Sequence, residues 1–185
     1  MSTLSRIANR LSRPVPLIVL FLLMVGFSTL MNAPGLPTSG AEFERLSGGP
    51  AFDFATGGYT DQDFLAQMTR AGAEGTRVYR NFMLLDLVFP AIYALFWLGL
   101  LSRATRTASP TAQRVLILPV VTAAIDYLEN LLVALNLAAL PTPSAGMVTL
   151  ASASTQAKFI ATGLLLAAAV VTLLLWAWRA VRKRA

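Results

Sequence analysis

Three acidic residues lie in stretches of sequence that are otherwise apolar. Asp86 interrupts the apolar run over residues 82–101, and Asp126 and Glu129 interrupt the run over residues 116–138. An acid at the centre of a membrane-spanning helix costs about 2.5 to 3.5 kcal/mol on insertion scales, so such a residue faces protein or water. Neighbouring carboxyl groups can act as acid and base, bind a ligand, conduct protons or cations, or form a closed network with basic groups.

Helical periodicity groups these acids with other polar and aromatic side chains. Asp126, Glu129 and Asn130 share one side of a helix because they are three and four residues apart. A second stripe is aromatic with a single carboxylate, and its members are Tyr79, Phe82, Asp86, Phe89, Pro90, Tyr93 and Trp97. Pro90 cannot donate a hydrogen bond to the carbonyl of Asp86, so we expect a helix kink there and a free backbone acceptor.

Lys158 is the first candidate for a cation beside these acids. It is one of two lysines in a chain that is otherwise rich in arginine, and it precedes the last apolar run. A lysine at the start of a span either extends outward to water or pairs with a buried acid, here Asp86 or Glu129. Arg77 and Arg80, just before the second apolar run, are alternative cations.

The composition excludes several kinds of site and indicates a membrane protein. The chain has no cysteine and no histidine, which excludes disulfides, thiol nucleophiles, His-ligated haem, the usual zinc sites and a Ser–His–Asp triad. We therefore expect no metal and no cofactor. Charged residues make up 13% of the chain and hydrophobic residues 56%, where a soluble domain is about 25% charged. The mean hydropathy is +0.63.

Four apolar stretches are long enough to cross a bilayer, which takes about 20 helical residues. They cover about residues 16–31, 82–101, 116–138 and 159–178. We interpret the first as a retained span rather than a secretory signal, because no small-residue cleavage site follows it before Pro34. The pattern predicts an all-α fold, a four-helix transmembrane bundle that forms a single membrane domain over residues 1–185.

The charges predict the orientation of this bundle. Ten of the 15 cations lie in three segments that contain no acid: Arg6, Arg10, Arg13, Arg103, Arg106, Arg114, Arg179, Arg182, Lys183 and Arg184. The positive-inside rule places these segments, and with them both termini, in the cytoplasm. The expected location is the bacterial cytoplasmic (inner) membrane. The net charge of +6 is then a topology signal, and we expect no nucleic-acid partner.

The segment over residues 32–81 is too long for a simple connection, and we expect it to form a partly helical extracytoplasmic cap. Its first half is rich in glycine and proline and is expected to be irregular. In the second half Thr60 is a plausible helix N-cap with Asp63 three residues later, a capping box. Gly72 and Gly75 are expected to end that helix.

Three strings resemble a family of small uncharacterised bacterial four-helix integral membrane proteins. They are GAEGTRVYRNFMLLDLVFPAIY at residues 72–93, DYLEN at 126–130 and TQAK at 155–158. Thr76 departs from the family pattern, which has arginine there, and Arg77 follows it. The resemblance implies no activity. It implies that one site is shared by Tyr79, Asp86, Pro90, Tyr93, Asp126, Glu129, Asn130 and Lys158.

The sequence favours a non-enzymatic role, in which an acidic and aromatic pocket in the outer leaflet binds a lipid headgroup or a small polar ligand. Membrane lipids are the expected partners. The alternative is a structural or accessory subunit with an internal salt-bridge network, which would bind another membrane protein or a second copy of the chain. A membrane enzyme acting on a lipid or an isoprenoid is a third interpretation.

Overall fold

The computed structural model describes residues 3–182, and every regular element in that range is helical. The predicted all-α fold is therefore confirmed. Lys183 and Arg184, which the charge analysis assigns to the basic tail, lie outside the described residues. The α-helices are α1 (Thr3–Leu11), α2 (Pro14–Asn32), α3 (Gly40–Ser47), α4 (Asp61–Asp86), α5 (Phe89–Thr105), α6 (Leu118–Ala138) and α7 (Ala145–Arg182), with 3-10 helices at Phe52–Phe54 and Ala112–Ile117.

Four helical segments are long and apolar enough to cross a membrane, which makes the chain a multi-pass membrane protein. They are Pro14–Asn32, Asp61–Thr105, Ala112–Ala138 and Ala145–Arg182. The last begins well before the predicted residue 159. Residues 145–158 are mostly small or polar and so escape a hydropathy criterion, but several of them, including Ser152 and Thr155, are buried against the rest of the structure. Helix formation there follows from packing rather than from hydropathy.

The described chain separates into two compact units. The basic unit comprises residues 3–24, 91–123 and 160–182, and the acidic unit comprises residues 25–90 and 124–159. The core of the basic unit is aliphatic and includes Leu98, Leu101 and Leu165. Gly99 lets α1 approach α5, because a Cβ at that position would lie 2.8 Å from the carbonyl oxygen of Leu11.

The core of the acidic unit is aromatic. Its largest fully buried side chains include Phe43, Phe52, Phe64, Tyr79 and Phe82. The rings of Phe43 and Tyr79 stack with centroids 4.5 Å apart, and those of Phe52 and Phe64 lie 4.6 Å apart. Aromatic pairs contribute about 0.5–1.5 kcal/mol beyond their buried area, so this cluster fixes the segment over residues 40–64 against α4.

The first half of the predicted cap is largely irregular, as predicted, but it contains two short helices that the sequence analysis did not predict. The helix α3 occupies Gly40–Ser47, because the Ser39 side chain accepts a hydrogen bond from the backbone N–H of Glu42 and Gly48 ends the helix at a φ of +71°. The side-chain amide of Gln67 then donates to the carbonyl oxygens of Gly49 and Pro50, at 2.8 and 2.6 Å. Local capping therefore allows a short helix to form between irregular glycine-rich segments.

The helix α4 begins as predicted and breaks at Gly72 as predicted, but a second helical stretch follows the break and Gly75 does not end it. The Thr60 hydroxyl accepts from the backbone N–H of Asp63 at 3.1 Å, and the Asp63 carboxylate accepts from the backbone N–H of Thr60 at 2.9 Å, so the capping box is confirmed. Gly72 interrupts the helix at a φ of +61°, and Gly75 remains helical. The helix continues to Asp86 because its residues beyond Gly75 pack into the aromatic core.

Candidate functional site

Four acidic side chains are buried within the acidic unit. Asp53 is 1% exposed, Asp86 5%, Asp126 4% and Glu129 0%. They come from three elements, because Asp53 belongs to the 3-10 helix, Asp86 ends α4, and the other two lie on α6. Asp126 and Glu129 face inward together because they are three residues apart on one helix.

Lys158 is the cation of this cluster. Its Nζ lies 2.5 Å from Glu129 Oε2 and 3.7 Å from Asp126 Oδ1, and its side chain is 13% exposed. The alternative in which Lys158 extends outward to water is therefore wrong. The physical reason is the early start of α7, which places Lys158 several turns inside a helix rather than at its first residue. Of the two acids that the sequence offered as partners, Glu129 pairs with Lys158 and Asp86 does not within the described residues.

Thr155 adds a hydroxyl that the sequence analysis did not single out. Its Oγ1 donates to Glu129 Oε1 at 2.5 Å and is fully buried. Thr155 lies three residues before Lys158, so both side chains face α6 from the same side of α7. That spacing within TQAK was the signal that could have identified it. Together Thr155 and Lys158 bind both oxygens of the Glu129 carboxylate.

Asp53 is the second residue that the sequence analysis missed. The hydroxyl of Tyr79 donates to Asp53 Oδ1 at 3.3 Å, and both side chains are buried. Burial raises the pKa of the Asp53 carboxyl, the nearby positive charge of Lys158 opposes this shift, and Asp126 adds to it. No local pattern separates Asp53 from the other acids of residues 40–63, because only the tertiary packing of the 3-10 helix places it in the cluster.

The regular α-helix ends at Asp86, and Leu87 and Val88 form a turn before α5, which contains Pro90. The carbonyl oxygen of Asp86, which Pro90 cannot satisfy, accepts a hydrogen bond at 3.2 Å from the side-chain amide of Asn130. Asp86 Oδ2 and Asn130 Oδ1 are buried and have no hydrogen-bond partner among the described residues. The end of α4 and α6 are thus joined through a backbone acceptor.

A glycine turn seats residues 57–60 against α7. Gly58 has a φ of +76°, and a Cβ there would lie 2.9 Å from Ser152 Oγ and would clash with the side chain of Gln156. The backbone N–H of Tyr59 donates to Ser152 Oγ at 2.8 Å. Burial raises the pKa of the Tyr59 hydroxyl. The turn therefore requires glycine both for its conformation and for its close approach.

The remaining residues that the sequence analysis proposed are Tyr93, Arg77 and Arg80. Tyr93 is buried in the basic unit. Arg77 and Arg80 are exposed on α4, and no ion pair within the described residues involves them. They therefore do not act as cations of the acidic cluster.

The cluster contains more acid than base. Lys158 forms ion pairs with Asp126 and Glu129, two of the four buried carboxyl groups, and an unpaired buried carboxylate is expensive. The cluster therefore favours states in which excess negative charge is removed by protons or by a bound cation. Among residues 3–182, no group of three or more acids is arranged to hold a metal ion.

Two surface cavities lie along α4, and one of them shares Asn130 with the network. The α4–α6 groove has a volume of about 490 Å³ and an almost entirely apolar lining, with Arg80 and Asn130 as its polar residues besides Tyr127. The arginine cavity has a volume of about 550 Å³ and is lined by Arg77, Arg80 and Asn81 with neighbouring small and apolar residues. Arg80 belongs to both cavities, and none of the four buried acids lines either one.

Comparison of this chain with protein-family models, with curated proteins and with solved structures finds no match. The class of protein is therefore defined by the fold and the site alone. It is an α-helical multi-pass membrane protein in which a buried acidic network adjoins an apolar groove.

Proposed function

We propose that this protein is a lipid-binding protein of the bacterial cytoplasmic membrane that holds a membrane lipid in the α4–α6 groove. Both termini lie in the cytoplasm in this proposal, and residues 32–81 form the extracytoplasmic cap. The role is non-enzymatic. The buried acids support the groove rather than contact the lipid, which differs from the pocket of acids and aromatic rings expected from the sequence.

The observation that carries this proposal is the groove itself. Binding sites for small molecules are concave, mostly apolar and about 300–1,000 Å³ in volume, with a few polar groups that orient the ligand. The α4–α6 groove matches each of these features, with a volume of about 490 Å³ and Arg80 and Asn130 among its few polar residues. Its apolar walls include Leu84 and Leu131, which suit an acyl or isoprenoid chain.

The acidic network gives the groove a fixed wall. Asn130 lines the groove and also donates to the carbonyl oxygen of Asp86, so it holds α6 against the end of α4. Glu129, the preceding residue, is bound by Lys158 and Thr155 of α7. A site that such contacts already hold in place loses less conformational entropy when a ligand binds than a mobile site does.

The test is to block the groove and measure lipid-dependent stability. Ala134 lines the groove, so Ala134→Phe fills it, while Ala167→Phe places the same ring on an exposed position of α7 that lines neither cavity. Purified protein is delipidated and melted with and without bacterial lipid extract. We expect lipid to raise the melting temperature of the wild type and of Ala167→Phe but not of Ala134→Phe, because a ligand that binds only the folded state stabilises it.

The accessory-subunit interpretation is the second candidate, and the network favours it. Glu129 is fully buried and both of its oxygens are bound within the chain, as a purely structural network requires. This candidate predicts no lipid-dependent change in the melting temperature of any of the three proteins. It also predicts that gentle extraction recovers the chain with a membrane-protein partner or a second copy of itself.

A further inference from the structure

Two guanidinium groups border the arginine cavity. Arg77 and Arg80 lie on one side of α4 because they are three residues apart, and both are exposed. Within the described residues neither takes part in an ion pair. Two arginines that share a cavity and have no acidic partner there leave its positive charge unneutralised.

The arginine cavity and the α4–α6 groove are joined by Arg80, which lines both. The apolar part of this chain segment begins at Phe82, so Arg77 and Arg80 stand where the apolar run starts. Basic side chains at the end of a membrane-spanning segment lie at the level of lipid headgroups. The two cavities together therefore have the polarity of a single lipid, with an apolar part followed by a charged end.

The charged end matches phosphate. A guanidinium group presents a planar fork of N–H donors that binds phosphate oxygens in pairs, and two such groups bind more of these oxygens than one. A zwitterionic headgroup would bring its own cation toward the two arginines, which is unfavourable. A headgroup whose only charge is its phosphate has no such penalty.

From these observations we infer that the α4–α6 groove selects a membrane phospholipid with a net negative headgroup, whose phosphate is bound by Arg77 and Arg80. The inference rests on the proposed function, because it names the class of lipid that the groove holds. The acyl chain occupies the α4–α6 groove and the headgroup occupies the arginine cavity.

The experiment compares two lipids that differ in the headgroup alone. Delipidated wild-type protein is titrated with phosphatidylglycerol and with phosphatidylcholine of identical acyl chains, and the binding constants are obtained from the shift of the melting temperature. We expect phosphatidylglycerol to bind at least about tenfold more tightly. In Arg77→Gln/Arg80→Gln this ratio should fall to about threefold or less, whereas Arg10→Gln/Arg13→Gln should keep it. That control removes two exposed arginines with the same spacing from the basic unit.

A salt series tests the same point without mutation. The ratio of the two affinities should fall between about 0.15 M and about 1 M salt, because exposed charges are screened at high ionic strength. If the arginine variant does not fold, this series decides the question. Arg77→Lys/Arg80→Lys should retain part of the preference, because lysine keeps the charge and loses the planar fork.

The other outcomes separate the inference from the proposed function. Equal affinity for the two lipids, abolished by Ala134→Phe, would overturn the headgroup assignment and leave the lipid groove standing. Stabilisation by glycerol phosphate alone, as strong as by the intact lipid, would overturn the lipid assignment in favour of a free phosphate ester. No stabilisation of the wild type by either lipid would overturn both.

Discussion

The basic and acidic units carry their charges in opposite ways. All nine acids of the chain belong to residues 25–90 and 124–159, with five cations, whereas the other ten cations belong to residues 1–24, 91–123 and 160–185, which contain no acid. The described arginines of the basic unit are exposed, except for the half-buried Arg179. In the acidic unit four carboxyl groups are buried.

This difference shows that charge has two separate roles in one membrane protein. Exposed arginines interact with water and lipid headgroups, and they determine orientation during insertion without taking part in the core. Buried acids must be satisfied by other protein groups, so each of them constrains the position of a neighbour. We therefore expect substitutions that remove a charge to change the free energy of unfolding little in the basic unit and strongly in the acidic unit.

Cysteine labelling gives the largest expected contrast, because its outcome is all or none. The chain has no native cysteine. We expect Gly57→Cys and Gly146→Cys, both in the acidic unit, to react with an impermeant thiol reagent in intact cells. Thr107→Cys, in the basic unit, should react only after the cells are opened, because the positive-inside rule retains its loop in the cytoplasm.

Gly57 has open space around it, so a cysteine there does not disturb the packing. Labelling of Thr107→Cys in intact cells, without labelling of Gly57→Cys, would mean that the orientation is opposite to the proposed one. Labelling of all three would contradict the orientation that the charges predict.

Removal of the Lys158 charge should have the largest effect on stability. Lys158→Met leaves Glu129 and Asp126 without their cation, and breaking a buried ion pair costs about 3–5 kcal/mol. Arg114→Met, at an exposed site of the basic unit, should change the free energy of unfolding by no more than about 0.5 kcal/mol. Thermal and denaturant unfolding in detergent measure both.

A double-mutant cycle sharpens this prediction. Glu129→Gln should restore part of the stability that Lys158→Met loses, because it removes one of the carboxylates left without a cation. Strictly additive losses would contradict the network and would mean that Lys158 and Glu129 act independently. Glu129→Gln alone should keep the lipid-dependent stabilisation, because Glu129 does not line the α4–α6 groove.

The outline of the fold was predictable from the sequence, because hydropathy, charge and capping are local. The spans, the capping box at Thr60 and the loss of a helical partner for the carbonyl of Asp86 each follow from a few adjacent residues. The start of α7 was not predictable in this way. Its first turns contain small and polar residues whose burial depends on distant contacts, such as that of Ser152 with Tyr59.

The candidate site was predictable where periodicity applies. The side of α6 that carries Asp126, Glu129 and Asn130 follows from their spacing. Asp53 was not predictable, because it reaches the cluster through the aromatic packing of a loop, and no residue near it in sequence distinguishes it from Asp61 or Asp63. The α4–α6 groove and the arginine cavity were not predictable either, because a cavity depends on how separate segments of the chain pack together.

The protonation of Asp53 should make the free energy of unfolding depend on pH. Its pKa is raised in the folded state above the ordinary value of 3.8, mainly by burial. The protonated form therefore favours folding, and this contribution is fully present below pH 3.8 and is lost as the pH rises through the folded-state pKa. Asp53→Asn keeps an acceptor for Tyr79 and cannot ionise. The stability of Asp53→Asn relative to that of the wild type should increase from pH 4 to pH 8, as measured by unfolding midpoints. A constant difference would mean that the pKa of Asp53 is the same in the folded and unfolded states.

The smallest expected effect compares the helix cap of the acidic unit with an ordinary side-chain-to-backbone hydrogen bond of the basic unit. Thr60 starts α4 with a reciprocal capping box, whereas Ser109 of the basic unit accepts a single, longer hydrogen bond from the backbone N–H of Ala112 at 3.3 Å. Thr60→Ala should destabilise the acidic unit by about 1 kcal/mol, because an N-cap is worth about 0.5–2 kcal/mol. Ser109→Ala should cost only a few tenths, since exposed sites without such a cap change little. Hydrogen exchange should show faster opening at residues 61–65 in Thr60→Ala alone. Equal losses in the two variants would show that the reciprocal contact with Asp63 adds nothing to a single hydrogen bond.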